Sequence, residues 1–237
     1  MIIAISGKKG SGKDTIGDML YYILNKANDE FIKNPKQFDN SYIKAIESIE
    51  WDDNYINRIS VKPVFVIKSF AKYLKEICAT VLNCNAFDFE NRKFKEAISG
   101  FKIYQFGNEK YLTNREVLLY FGKLLRNDNE DIFVDKILNE YNYNNKNFII
   151  TDLRFQNEYF KLIRKSNIIL IRINAKNKGL ESINDANNMH DKSEIDLDNV
   201  NGWDIELDYQ HNLKDLFKDL KSKILSVFKD RGVNIKC

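Results

Sequence analysis

Gly7, Gly10 and Gly12 are three of only ten glycines in this 237-residue chain, and they fall within six positions directly after the apolar run Ile2 to Ser6. A loop so rich in glycine can turn successive backbone N–H groups toward one anion. The helix expected to open at Lys13 adds its own unpaired N–H groups and the positive end of its dipole, and the Lys13 ammonium reaches further phosphates as a point charge. Gly7, Lys9, Gly10, Ser11, Gly12, Lys13, Asp14 and Thr15 are therefore the residues expected to hold the phosphates of a nucleoside triphosphate. A glycine turn that binds nothing is the plain alternative, and the strand, loop and helix context weighs against it.

The spacing Gly7-x4-Gly12-Lys13 meets the P-loop pattern, but Asp14 stands where Ser or Thr usually ligates magnesium, and Thr15 comes one position later. The GKDT wording resembles the GKGT of small nucleotide kinases more than that of GTPases. Asp14 either acts on magnesium through water or favours the first helical turn as an acidic residue does. A second carboxylate comes from Phe148-Ile149-Ile150-Thr151-Asp152, an apolar strand ending at the sheet edge where phosphate-loop sites lie. Asp14, Thr15 and Asp152 are thus the expected magnesium ligands. A strand-end turn, or a salt bridge to Arg154, is the plainer reading of Asp152.

Of the 37 lysines and arginines only eight are arginine, so lysine is the default cation of this chain. Where arginine nevertheless stands, its planar fork suits bidentate phosphate or carboxylate binding, which lysine cannot copy. Arg115 and Arg126 bracket the helical pattern TNREVLLYFGKLLR, and Arg154 follows Asp152 by two positions. Lone exposed arginines are often just solvated. As a set, these three can neutralise charge on a transferring phosphoryl group, with Lys13, Arg126, Asp152 and Arg154 as the expected catalytic residues.

Five short apolar runs would position them: Ile2 to Ser6, Val64 to Lys68, Phe148 to Thr151, Ile168 to Ile173 and Trp203 to Leu207. Helical periodicity lies between them, at about 13–26, 69–82, 115–126, 131–141, 155–165 and 213–228. This alternation predicts an α/β fold, three layers α/β/α, with a mostly parallel five-stranded sheet. A single domain over 1–237 is expected, with insertions at 28–60, 83–114 (a monophosphate-binding lobe) and 174–202 (a lid).

Composition excludes several classes. No run approaches the roughly 20 apolar residues that cross a bilayer, and no basic segment precedes an apolar one at the start, so a cytoplasmic protein with no membrane partner is expected. The net charge of +3 is small and the lysines are mixed with acids, so direct nucleic-acid binding is not expected. Cys78, Cys84 and Cys237 form no metal-ligand spacing and fit a reducing compartment.

GKKGSGKDT at 7–15, FAKYLKE at 70–76, REVLLYFGKLLR at 115–126, DIFV at 131–134 and TDLRFQNE at 151–158 together resemble the bacteriophage deoxynucleoside monophosphate kinases. The resemblance spans most of the chain. It implies a nucleotide-kinase-like P-loop fold, ATP as phosphate donor, magnesium as cofactor and a deoxynucleoside monophosphate as acceptor, in the cytoplasm of an infected cell. It also implies that Lys68, Lys75, Arg115, Gly122, Lys123, Phe133, Asp152, Arg154 and Glu158 surround the monophosphate. Tyr120, Lys123, Phe133 and Gln156 stand where the family has Gln, Thr, Trp and Pro, changes that bear on base selectivity. His190 to Glu194 is similar to the family's His-x-Ser-Glu stretch with one extra residue.

An acceptor phosphate with a second pKa of about 6 is mostly dianionic at neutral pH, so no general base is required. Phe133, Tyr104 and Phe106 are candidate faces for the base. Two alternatives remain from the residues alone: another small-molecule P-loop kinase, acting on dephospho-coenzyme A or a nucleoside, and a non-enzymatic nucleotide-binding switch. The 115–126 helix is as well suited to line a homodimer as to line a site, so both readings stand.

Overall fold

Apolar β-branched runs buried on both faces form the centre of the protein, as the sequence Ile2 to Ser6 and Ile168 to Ile173 requires. The computed structural model describes residues 1–25, 65–105, 107–144, 146–174, 192–208 and 212–233. The expected insertion at 28–60, most of the 174–202 loop, His190 and Phe106 lie outside them. The described residues fall into two compact units, one drawn from Met1–Lys68 and Glu140–Cys237, the other from Ser69–Asn139.

The first unit is built on a five-stranded parallel sheet of order β2-β5-β1-β6-β7. Its strands are β1 (Ile2–Gly7), β2 (Phe65–Lys68), β5 (Asn147–Leu153), β6 (Ile168–Asn174) and β7 (Ile205–Asp208). Helices α1 (Lys13–Asn25) and α8 (Leu213–Asp230) cover one face, where Ile16, Leu20 and Ile23 meet Leu220, Ile224 and Phe228 over Ile3, Ile5, Ile149 and Ile171. On the opposite face Phe148 meets Tyr141 edge-on, with ring centroids 5.4 Å apart, and α6 (Gln156–Leu162) buries Tyr159 and Leu162. This is the predicted α/β class, a parallel sheet flanked by helices and compatible with three layers.

One polar contact fixes the edge of that sheet. At the last residue of α1, Asn25 is buried, donating through Nδ2 to the Phe65 carbonyl at 3.0 Å and accepting the Phe65 N–H on Oδ1 at 2.9 Å. Asn25→Ala leaves a buried donor and acceptor on β2 unpaired, a loss of about 2–4 kcal/mol. Urea denaturation should show it as a lower midpoint with an unchanged slope.

The second unit contains α2 (Phe70–Leu82), one 3-10 turn at Ala86–Glu90, α3 (Arg92–Glu96), an antiparallel hairpin of β3 (Ile98–Gln105) and β4 (Asn108–Thr113), α4 (Asn114–Asp128) and the start of α5 (Ile132–Tyr143). Cys78, Phe89, Leu112 and Val117 form its small core. Thr113 and Glu116 close a capping box at the start of α4, the helix expected from REVLLYFGKLLR. Burial pushes the Cys78 thiol up to about 12, so it stays a packed, unreactive thiol. The hairpin is an element that the sequence expectations placed only as a polar lobe.

Candidate functional site

The chain leaves β1 at Gly7 and re-enters structure at Lys13, the first residue of α1. Because β1 and β5 are parallel neighbours, this loop and the turn after Leu153 emerge from the same edge of the sheet. There α1 leads toward β2 on one side of β1, while the β5 to β6 connection crosses to the other side, and ligands of open α/β sheets bind at such a reversal. The loop conformation depends on its three glycines, and Gly10 has φ of +73°. Gly12 has φ of +88°, a region costly to any residue with a Cβ. A Cβ on Gly7 would stand 2.5 Å from Ser11 Oγ and 3.1 Å from Ile173 Cβ.

Ser11 Oγ is fully buried within this loop and has no hydrogen-bond partner among the described residues, a cost that a ligand at the loop would relieve. Lys13 is itself buried, at 8% exposure, with Nζ donating to the carbonyls of Gly7 at 2.6 Å and Lys8 at 2.9 Å. Burial first, and then the nearby Arg154 charge, push Lys13 down to about 8, while Glu194, Asp14 and Asp152 act in the opposite direction. Those three carboxylates are therefore close enough to the ammonium to be felt by it.

β5 carries an irregularity where its functional residues begin. Ala4 of β1 lies opposite Ile150, but Ser6 lies opposite Leu153, so one extra residue is accommodated at Thr151-Asp152. A bulge of this kind re-aims a side chain, here Asp152. The turn that follows is held by Glu158, which is buried and accepts the N–H groups of Arg154 at 3.0 Å and Phe155 at 3.1 Å. That carboxylate shapes the turn carrying Arg154.

Arg154 extends to Glu194 of α7 (Lys192–Ile195), Nη1 to Oε1 at 2.8 Å. The other oxygen of the same carboxylate accepts the backbone N–H of Lys9 in the glycine loop at 2.6 Å. Lys8 Nζ donates to the Glu194 carbonyl at 2.6 Å and pairs with Asp198. Arg172 of β6 bridges Asp198 Oδ1 and Ser6 Oγ, each at 2.9 Å. Ser6, Lys8, Arg172 and Asp198 are not among the expected site residues, and Glu194 enters the sequence reading only as the end of the His190 to Glu194 stretch within the expected lid. A signal existed in the alternation Glu194, Asp196, Asp198, three carboxylates spaced by two, and in an arginine placed on a buried strand of a lysine-rich chain.

The other expected residues divide between the two units. Within the first, Lys68 pairs with Glu140 and lies over the Phe148 ring at 5.1 Å. Within the second, Lys75 pairs with Glu90 at 2.7 Å and Arg115 with Glu96 at 2.7 Å. Arg126 donates to the Gly122 carbonyl at 3.2 Å and lays its guanidinium 4.7 Å from the Phe133 ring centroid, so these three form one cluster. Phe133 is only 3% exposed, its ring accompanied by Arg126. Tyr104 is exposed on the hairpin and bonds Glu109, and Lys123 is exposed on α4.

Among the described residues, no group of three or more His, Cys, Asp or Glu is arranged to hold a metal on its own. Magnesium typically takes one or two carboxylates together with substrate phosphates, and Asp14 and Asp152, both acting on Lys13 beside the loop, fit that limited donor set. No helix among the described residues is long and apolar enough to cross a membrane. No family model matches this sequence, and no curated protein matches it.

Proposed function

We propose that the protein is an ATP- and magnesium-dependent deoxynucleoside monophosphate kinase on a P-loop fold. The observation that carries the reading is the glycine loop at the reversal point of a parallel sheet, with an orphaned Ser11 hydroxyl and a desolvated Lys13 folded against its carbonyls. On this reading the triphosphate takes the loop N–H groups and draws Lys13 Nζ from the Gly7 and Lys8 carbonyls to its own oxygens. Asp14 and Asp152 would hold magnesium, which supplies charge neutralisation on the phosphates.

An acceptor phosphate oxygen attacks the γ-phosphorus in line, the bond to the bridging oxygen breaks, and ADP leaves with the electron pair. Charge that spreads over the transferring group is met by the Lys13 ammonium and the Arg154 guanidinium. The dianionic acceptor carries no proton that must be removed, so no base is assigned. The resemblance at 115–126 and 151–158 supports a nucleoside monophosphate as that acceptor, with Arg115, Arg126 and Phe133 among its residues.

The test is a substrate panel: protein, magnesium and ATP with each of the four deoxynucleoside monophosphates, each ribonucleotide and each nucleoside, followed by ADP release. ADP should appear with at least one deoxynucleoside monophosphate and with no nucleoside. Turnover on nucleosides alone would shift the assignment to an alcohol kinase. ATP binding without turnover on any acceptor would favour a switch.

A further inference from the structure

The glycine loop holds an anion that is part of the protein itself. Glu194 places one carboxylate oxygen 2.6 Å from the Lys9 N–H and the other 2.8 Å from Arg154 Nη1, and its side chain is only 13% exposed. A loop N–H and an arginine fork are the two kinds of donor a phosphate uses at such a loop. A carboxylate offers the same two-oxygen edge and the same sign of charge. We infer that Glu194 is a built-in stand-in for the terminal phosphate of the donor nucleotide, occupying the Lys9 N–H and Arg154 until a triphosphate displaces it. The inference rests on reading the loop as an ATP site.

Glu194 is not needed to keep its own segment in place. Asp196 accepts the Gln156 N–H at 2.8 Å, and the Asp196 carbonyl accepts Gln156 Nε2 at 2.8 Å. Asp198 pairs with Lys8 and Arg172, and Lys8 also holds the Glu194 main-chain carbonyl at 2.6 Å. The segment therefore stays anchored to the loop, to β6 and to the start of α6 when the Glu194 side chain swings away. The carboxylate and a phosphate cannot share one N–H and one guanidinium, because two anions at hydrogen-bond distance of the same donors repel.

Two consequences follow. The apparent affinity for ATP is lowered by the fraction of molecules in which Glu194 holds the loop. Arg154, the residue read as neutralising the transferring group, is released only when a terminal phosphate takes its partner's place. A diphosphate lacking that group competes less directly with Glu194.

The experiment is calorimetric titration of magnesium-ATP and of magnesium-ADP, without acceptor, into wild type, Glu194→Gln and Lys13→Ala. Gln keeps the shape and the acceptor for Lys9 but not the charge that holds Arg154, so ATP should bind about tenfold more tightly to Glu194→Gln. ADP affinity should change by less than about twofold. Glu194→Ala, which removes the carboxylate outright, should show the same preference and guards against an effect peculiar to the amide. Unchanged or weaker ATP binding in both variants overturns the stand-in, and equal tightening for ADP overturns its assignment to the terminal phosphate. If wild type binds ATP and Lys13→Ala does not, those failures belong to the stand-in alone. If no form binds ATP, the kinase reading fails and the stand-in fails with it.

Discussion

Lys13→Ala should lower the rate of phosphoryl transfer by about 10³-fold while the protein remains folded. The ammonium is the buried cation of the loop, and alanine leaves both the bound triphosphate and the transition state without it. Stability should change little because two terms of similar size oppose each other. The Gly7 and Lys8 carbonyls lose donors, about 1 kcal/mol each. Against that, a lysine shifted from 10.5 to about 8 carries a cost of roughly 3 kcal/mol for being charged in the fold, which alanine removes. Thermal unfolding at pH 7 should therefore stay within about 5 °C of wild type. Activity lost together with the fold would mean that Lys13 is chiefly a structural residue.

The same shift predicts opposite pH trends for binding and for stability. ATP should bind best below pH 8, where free Lys13 is protonated, and more weakly as pH rises through about 8. The unfolded chain, with its lysine near 10.5, holds the proton that the folded protein has lost between pH 8 and 10.5. More protons on the unfolded state mean that the Lys13 contribution to stability rises with pH across that window. In Lys13→Ala both trends should lose this component, measured by ATP titration and by urea unfolding at pH 7, 8 and 9.

Arg154→Lys should reduce kcat by about 10²-fold and leave the midpoint of unfolding nearly unchanged. Charge is retained, but the fixed fork is not, and a single ammonium cannot meet the edge of a carboxylate or phosphate through two parallel N–H groups. The guanidinium is 34% exposed and its Glu194 partner belongs to an independently anchored segment, so little packing is lost. The Michaelis constant for ATP should rise less than kcat falls, because lysine also loosens the grip of Glu194 on the loop. An unchanged kcat would remove Arg154 from the transferring group and leave it a surface ion pair, worth about 0–1 kcal/mol.

Much of the first unit is legible in the order of residues. The five apolar runs become the five strands, and the helix starts at Lys13 and Leu213 fall where periodicity predicts, because both depend on spacings of two and of three to four along the local chain. The last strand begins at Ile205, two residues after the expected Trp203, whose indole instead donates to the Val200 carbonyl in the preceding turn. The hairpin at 98–113 is harder to read. Its two strands pair only with each other, the inward Phe101 and Ile103 are only half-buried, and Ile98, Tyr104 and Tyr111 are exposed, so apolar residues fall on both faces and blur the alternation.

Strand, glycines and lysine are adjacent in the chain, so the order of residues is enough to place a glycine loop between a buried strand and a helix. The same order puts Asp152 and Arg154 at the end of a second apolar run. That β5 lies beside β1, bringing that turn to the edge where the loop emerges, follows from the folded sheet and not from the local chain. Only the tertiary structure, likewise, decided that Glu194, 185 positions from Lys9, accepts its N–H, and that Arg154 shares the same carboxylate. Such pairings depend on strand order and on which charges are desolvated together, and no local period of residues encodes either.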